Sequence, residues 1–239
     1  MTQHLLDGRT EDEVLWVQRR SALKAAAAWM AMGGLPAAMA QQRSNIVELY
    51  GDALLNGSRL TPGQTIQTGD QIQTGPDAGL VFALGNASFR VRQNTLMTVE
   101  RGATLSAVSL LRIITGAVAS VWDKGGSRTI LTPTITAGIR GTGVYTEVLP
   151  EQDNRSYFCN CYGTVDLASA GFKTVSRAEY HQAFWSEADP QKGPGLSPAK
   201  AINHTDEELE FLAGLLGQRT TWQIAGRKGI KDGNGKTAY

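Results

Sequence analysis

The chain has 239 residues and a formal net charge of +1, from 23 Lys and Arg against 22 Asp and Glu. That balance gives no electrostatic footprint for nucleic acid and no polybasic patch for a membrane surface. Charged residues are 19% and hydrophobic residues 41%, which excludes wholesale disorder and allows a sizeable core.

Residues 1–40 read as an export signal, to be set aside before the fold is considered. Arg19-Arg20 precede Ser21-Ala22-Leu23-Lys24. A short apolar stretch runs from Ala25 to Leu35, and Ala38-Met39-Ala40 is a small-residue cleavage pattern. These three parts in this order describe a twin-arginine signal, whose machinery exports folded proteins. The expected product is periplasmic and starts near Gln41, with no stable membrane span once the leader is cleaved. The alternative is an uncleaved leader that anchors the chain in the inner membrane. Residues 25–40 suit that poorly, because a spanning helix wants ~20 strongly apolar residues and this stretch holds two Gly and a Pro.

Residues 41–175 carry a β pattern. Gly is abundant, 27 in the whole chain against 8 Pro, and implies tight turns between short strands. The apolar runs predict strands at 46–49, 53–55, 65–67, 71–73, 79–84, 88–92 and 96–100. Further strands are predicted at 109–115, 118–122, 128–131, 143–148, 157–161, 164–167 and 172–175. Phe89-Arg90-Val91-Arg92 alternates as a half-buried strand does. Ile66-Gln-Thr-Gly69 recurs as Ile72-Gln-Thr-Gly75, and two copies suggest an arch or hairpin pair more than a solenoid coil. The expected fold is all-β, a Gly-rich antiparallel sandwich or short solenoid-like domain with one C-terminal helix.

Residues 176–239 change character. Pro190, Pro194 and Pro198 with Gly193 and Gly195 predict an irregular wrap over 176–204, with a helical turn near 177–180. Thr205-Asp206-Glu207-Glu208 is a capping box. The helix that follows carries Leu209, Leu212, Leu215 and Leu216 on one face and stops at Gly217. A polar, Gly-rich tail runs from Lys228 to Tyr239.

Two motifs resemble the FecR-type periplasmic domain, the family named after the ferric citrate regulator. One is Leu60-Thr-Pro-Gly-Gln-Thr-Ile-Gln-Thr-Gly-Asp-Gln-Ile-Gln-Thr-Gly75, followed by a strand to Leu84 and a turn at Gly85-Asn86-Ala87-Ser88. The other is Thr132-Pro-Thr-Ile-Thr-Ala-Gly-Ile-Arg-Gly-Thr142, followed by a strand and then by Gly163-Thr-Val-Asp-Leu167. The resemblance covers roughly residues 46–170. It implies a sensor or ligand-binding β-module with an envelope protein as partner. The chain departs from the family's circuit, in which a cytoplasmic segment controls a sigma factor, since only eighteen residues precede the twin arginine. Within the second motif, Gly138 and Gly141 flank Arg140. The expectation is a sharp backbone path with φ > 0 or a close approach, and an Arg140 guanidinium that braces neighbouring carbonyls.

Beyond residue 40 the chain has two cysteines and two histidines: Cys159, Cys161, His181 and His204. On a strand, Cys159 and Cys161 point to one face. The four together have the types and number for a tetrahedral metal, with zinc or iron the leading candidates and copper(I) also suited to thiolates. A C-x-C pair holds one metal if the strand bulges. The same residues are open to three plainer readings: a strained i, i+2 disulfide or thiol-redox pair, buried structural cysteines, and a His204 that only fixes the turn before the helix cap. Tyr157, Tyr162 and Tyr180 are candidate supporting donors. Phe184 and Trp185 are expected under the wrap, as core rather than as a sugar- or partner-binding pair. G-x-S-x-G and H-E-x-x-H are absent. The expected function is a non-enzymatic sensor or binding module, with a structural scaffold or a thiol-redox protein as alternatives.

Overall fold

The computed structural model describes residues 44–102, 107–126, 128–189, 191 and 195–229. The leader and its cleavage site lie outside these residues, as does the tail beyond Gly229. No helix among the described residues is long and apolar enough to cross a membrane.

Short alternating segments with Gly and Asn turns give β1 Ile46–Tyr50, β2 Ala53–Leu55, β3 Ser58–Arg59, β4 Gln71–Thr74, β5 Gly79–Leu84, β6 Ala87–Val91 and β7 Leu96–Arg101. Then come β8 Val108–Trp122, β9 Arg128–Leu131, β10 Thr136–Ile139, β11 Gly143–Leu149, β12 Arg155–Ser169 and β13 Phe172–Ala178. The last strands are β14 Gln182–Ser186 and β15 Ser197–Ala199. Two helices follow, α1 Asp206–Leu215 and α2 Thr221–Ala225.

The strands form two sheets that share two long members. The first sheet runs β1-β5-β6-β8-β11-β12-β14-β15. The second runs β3-β2-β4-β7-β8-β9-β10-β12-β13. In β8, residues 108–115 belong to the second sheet and 116–122 to the first. In β12, residues 155–162 belong to the first sheet and 163–169 to the second. Each long strand turns its corner at a left-handed glycine, Gly116 at φ +76° and Gly163 at φ +99°. A Cβ on Gly116 would lie 2.3 Å from Thr95 Oγ1, and one on Gly163 would lie 2.6 Å from Thr142 Cγ2 and 2.9 Å from the Gly141 carbonyl oxygen. No other residue type fits either corner without a shift. Strands β8, β11, β12, β10 and β9 close a ring through the parallel pairing of β9 with β8.

The inner faces bury one core. Phe82 stacks on Phe89 at 4.8 Å, Phe89 meets Trp122 edge-on at 5.3 Å, and Ile72, Met97, Leu111 and Phe158 surround them. A second core covers the outer face of the first sheet. There Val81, Ala119, Val121, Tyr145 and Tyr157 pack with Leu209, Leu212 and Ala213 of α1 and with Trp222 of α2.

The all-β expectation, the capping box at Thr205 and the stop at Gly217 are all observed. Several finer expectations are not. Residues 65–67 form no strand, although Ile66 is buried. The segment 176–204 is more regular than its prolines suggested. Strand β13 continues to Ala178 where a helical turn was expected, and β14 and β15 extend the first sheet. The predicted pairs 109–115/118–122 and 157–161/164–167 are single bent strands, because a glycine in a left-handed conformation turns a strand without ending it. Helix α2 adds a second helix under its own capping box, Thr220 with Gln223.

Replacing Gly163 by Ala should cost about 2–4 kcal/mol, the left-handed penalty plus the displaced Thr142. Gly138 has ordinary strand backbone, and a Cβ there would sit 3.5 Å from Asp166 Cβ. Gly138→Ala should therefore be neutral or slightly stabilising, by less than about 1 kcal/mol. Urea unfolding of both variants measures the contrast.

Candidate metal centre

The site begins with a fault in β12. Opposite β11, the register passes from Val144–Asn160 to Gly143–Tyr162 and leaves Cys161 as the extra residue. A bulge of this kind lets neighbouring side chains share a face. Tyr157, Cys159, Cys161 and Tyr162 all join the outer core, while Phe158 turns inward. Neither cysteine forms a disulfide, and both are fully buried.

The histidines arrive from two later segments. His181 lies between β13 and β14 with φ +34°, and its N–H donates to the Cys161 carbonyl at 2.9 Å. His204 lies two residues before α1 and follows Asn203, which has φ +60°. A left-handed conformation is uncommon for a residue other than glycine, and here the surroundings hold it in place at His181 and at Asn203. Tyr157 fixes the approach to His204, since its hydroxyl donates to the Lys200 carbonyl at 2.9 Å and accepts from the Ile202 N–H at 3.1 Å. Tyr145, opposite Cys159 in register, stacks on the His204 ring at 4.7 Å. Trp222 stacks on the His181 ring at 5.5 Å.

Four ligand atoms converge: both sulfurs, His181 Nδ1 and His204 Nε2, all within 4.8 Å of one another. The sulfurs are 3.9 Å apart, Cys159 Sγ is 3.6 Å from His181 Nδ1, and Cys161 Sγ is 3.4 Å from His204 Nε2. The two nitrogens are 3.0 Å apart. A tetrahedral zinc with bonds of about 2.3 Å to sulfur and about 2.05 Å to nitrogen sets S···S at about 3.8 Å, S···N at about 3.6 Å and N···N at about 3.3 Å. Three of these four separations agree within about 0.2 Å and the fourth is about 0.3 Å short, while the widest pair of the cluster, within 4.8 Å, has to close by about 1 Å around a metal.

The far nitrogen of each imidazole is already committed. His181 Nε2 donates to Asp206 Oδ1 at 3.0 Å, and His204 Nδ1 donates to the Ile202 carbonyl at 2.6 Å. A carbonyl only accepts, so the His204 proton sits on Nδ1 and its lone pair faces the cluster. Asp206 likewise directs the lone pair of neutral His181 inward. Carboxylate and carbonyl partners of this kind orient metal-binding histidines. Asp206 is itself buried, and it accepts from Tyr180 Oη at 2.8 Å and pairs with Lys228 Nζ at 3.2 Å. Burial would push the Cys159 thiol up, but contacts with Cys161, His204 and His181 outweigh it and hold it well below the usual thiol range. Burial would likewise lower His181, and the Asp206 and Cys159 contacts raise it instead. The protein therefore favours a thiolate, the form that binds metal.

The structure brings all four sequence-predicted ligands together. Of the three tyrosines, Tyr180 acts through Asp206 and Tyr157 through the 200–202 backbone, while the buried Tyr162 hydroxyl has no hydrogen-bond partner among the described residues. Phe184 packs on the inner core, and Trp185 joins the outer core under the Arg155 guanidinium, 4.1 Å from its ring centre. Arg140 lies elsewhere. It is exposed and bonds Asp166 Oδ2 through Nε at 2.8 Å and Nη2 at 2.5 Å, so it links β10 to β12 through a carboxylate rather than through carbonyls. Gly141, at φ +79° and facing Lys124, meets the expectation of a sharp path, whereas Gly138 does not. Sequence reading missed Asp206, Tyr145 and Trp222. Asp206 was legible as an acid two residues beyond a candidate ligand, but the capping box absorbed it.

No family model matches the chain, and no curated protein matches it. Two crystal structures, both described as a candidate anti-sigma factor from Parabacteroides distasonis ATCC 8503, align with 60% and 62% of this chain. Their TM-scores are 0.45 and 0.46, at 9% and 11% identity. The chain spans 65% and 66% of the length of those two chains.

Asp206→Ala removes the orienting carboxylate and leaves all four ligands in place. It should weaken metal binding about 10–100-fold, read by competition with a chromophoric chelator. Tyr180→Phe, one contact further out, should have a smaller effect.

Proposed function

We propose that the chain is a non-enzymatic, exported β-module of the FecR-like sensor or ligand-binding kind, built around a tetrahedral Cys₂His₂ metal centre. One observation carries the reading: four ligand atoms lie within 4.8 Å of one another, and both imidazole lone pairs are turned inward by Asp206 and the Ile202 carbonyl. Zinc fits the donor set and the separations best, with iron the alternative for the same donors. Bound there, the metal supplies four strong bonds and no vacant position.

The closed arrangement favours a structural or regulatory role over catalysis. Catalytic zinc keeps one position open for water or substrate, and here protein atoms fill all four. Cys159, Cys161 and His181 are wholly buried and His204 is 7% exposed, so a substrate has no path to them. Cys159 and Cys161 belong to the β-core, and His204 belongs to the segment that leads into α1. Metal binding therefore adds folding free energy where residues 200–217 meet the first sheet. The sensor reading draws on the two FecR-like motifs, and the periplasmic assignment on Arg19-Arg20 and the A-x-A site. Export after folding suits a centre whose thiols need a metal before they meet an oxidising compartment. The partner, on this reading, is another envelope protein.

The thiol-redox alternative is less well supported. A sulfur separation of 3.9 Å is a ligand spacing, about twice a disulfide bond. Burial of both sulfurs also keeps a thiol–disulfide exchange partner away.

Elemental analysis of protein purified from the periplasm should find about one transition-metal equivalent, absent from Cys159→Ser/Cys161→Ser. Cobalt(II) substituted into the wild type should give the visible bands of a tetrahedral dithiolate site. At a thousandfold excess over Kd the metal adds about 4 kcal/mol, so chelation should lower Tm by roughly 8–16 °C. A metal-free wild type with two free or bridged sulfurs overturns the reading.

A further inference from the structure

We infer that the outer face of the first sheet is a docking surface for an acidic amphipathic helix on a partner protein, and that α1 occupies it in cis while the metal centre is complete. The metal's control of this surface rests on the reading above, whereas the surface itself rests on the contacts of α1.

Strand β6 and the residue after it present three helix-binding groups at alternate positions: Ser88, Arg90 and Arg92. Each reads a different part of α1. Ser88 Oγ donates to the Leu212 carbonyl at 2.8 Å inside the buried interface. Arg92 Nη2 binds both oxygens of Glu208 at 2.7 and 2.8 Å and the Asn203 carbonyl at 3.1 Å. Arg90 pairs with Glu48 of β1 at 3.2 Å, and on the helix side its Nε lies 3.9 Å from Glu208 and its guanidinium sits over the Phe211 ring at 5.6 Å. A hydroxyl for a helix carbonyl and two guanidinia for one carboxylate select a helix, its direction and its charge. The apolar part of the surface receives Leu209, Leu212 and Ala213. The recognised pattern is therefore a carboxylate followed by leucines at the next position and three beyond it.

The occupant in cis is weakly built. Helix α1 has ten residues, shorter than a helix that stands alone in water. Its first turn is acidic, with Asp206, Glu207 and Glu208. Beside the Arg92, Tyr157 and Tyr180 contacts, two ties of that end run through the ligand set itself, His204 as a ligand and Asp206 on His181. With both in place, the linked helix outcompetes any helix in solution through its effective concentration. Loss of the metal removes the tie at residue 204 and lets an external helix of the same chemistry compete.

The test uses a fluorescein-labelled synthetic peptide of residues 202–218 and the full chain, read by anisotropy. Zinc-loaded protein should bind the peptide at least tenfold more weakly than chelated protein. A Glu208→Lys/Leu212→Ser chain has a weakened cap and an unchanged sheet face, and it should bind the peptide with metal present. A peptide carrying Glu208→Lys should bind at least tenfold more weakly to either. No binding by the weakened-cap chain, with its β-sheet circular dichroism retained, overturns the docking surface whatever the metal result. Binding by that chain with no effect of chelation on the wild type overturns metal control. A chelated chain that dimerises and excludes the peptide overturns the partner assignment in favour of a second copy.

Discussion

Two imidazole nitrogens face each other at 3.0 Å with their outer nitrogens already bonded to acceptors. Two neutral lone pairs facing each other at that distance in a buried site repel, and either a proton on His181, which Asp206 and Cys159 favour, or a metal cation relieves them. The two sulfurs lie 3.6 and 3.4 Å from these nitrogens and complete the donor set. A proton answers one nitrogen pair, whereas a tetrahedral metal answers all four atoms, four of whose six separations already lie within about 0.3 Å of what it needs. Much of the C-terminal third is arranged around this demand. The left-handed turns at His181 and Asn203, the Tyr157 clamp on residues 200–202 and the buried Asp206 each fix one ligand from outside.

The demand is met because β12 serves two purposes. As a corner strand it has to leave the first sheet at Gly163, where only glycine fits. The bulge at Cys161 lies immediately before that corner, and the fault in register adds Tyr162 to the helix-covered face that Cys159 and Cys161 share. A straight strand would keep i and i+2 on one face but would set Tyr162 inward and change the wall under Trp222. In this structure Tyr162 meets Trp222 edge-on at 5.5 Å, and Trp222 stacks on His181. The corner that makes the sandwich thus also shapes the metal centre.

Much of this was legible in the chain. An apolar run at 79–84 and alternation at 89–92 marked strands correctly, because the first is buried on both faces and the second packs Phe89 and Val91 inward. The four ligands were visible because no other Cys or His exists beyond residue 40. What was hidden follows from the same physics. Gly116 and Gly163 read as strand ends, since a sequence does not say whether a glycine stops a strand or bends it. Pro198 read as a loop signal, yet it sits in edge strand β15, where a missing N–H costs little. Arg90 and Arg92 read as a solvent face. They are half-buried because α1, over a hundred residues away in sequence, brings Glu208 to them.

That last point bears on how the two cores differ. The inner core is sealed by the sandwich and owes little to the C-terminal segment. The outer core exists only while α1 and α2 lie on the first sheet, and without them Val121, Tyr145 and Tyr157 would face water. A sheet that needed only a cover would carry small apolar or neutral residues under it. This one carries Ser88, Arg90 and Arg92; Glu48 of β1 pairs with Arg90, and the desolvation of Ser88 and Arg92 is offset by a helix bearing a carboxylate and a carbonyl in the right places. The polar residues on the outer face therefore specify an occupant, the leucines supply most of its hold at about 1.5–3 kcal/mol each, and the metal decides how firmly the chain's own helix keeps the place.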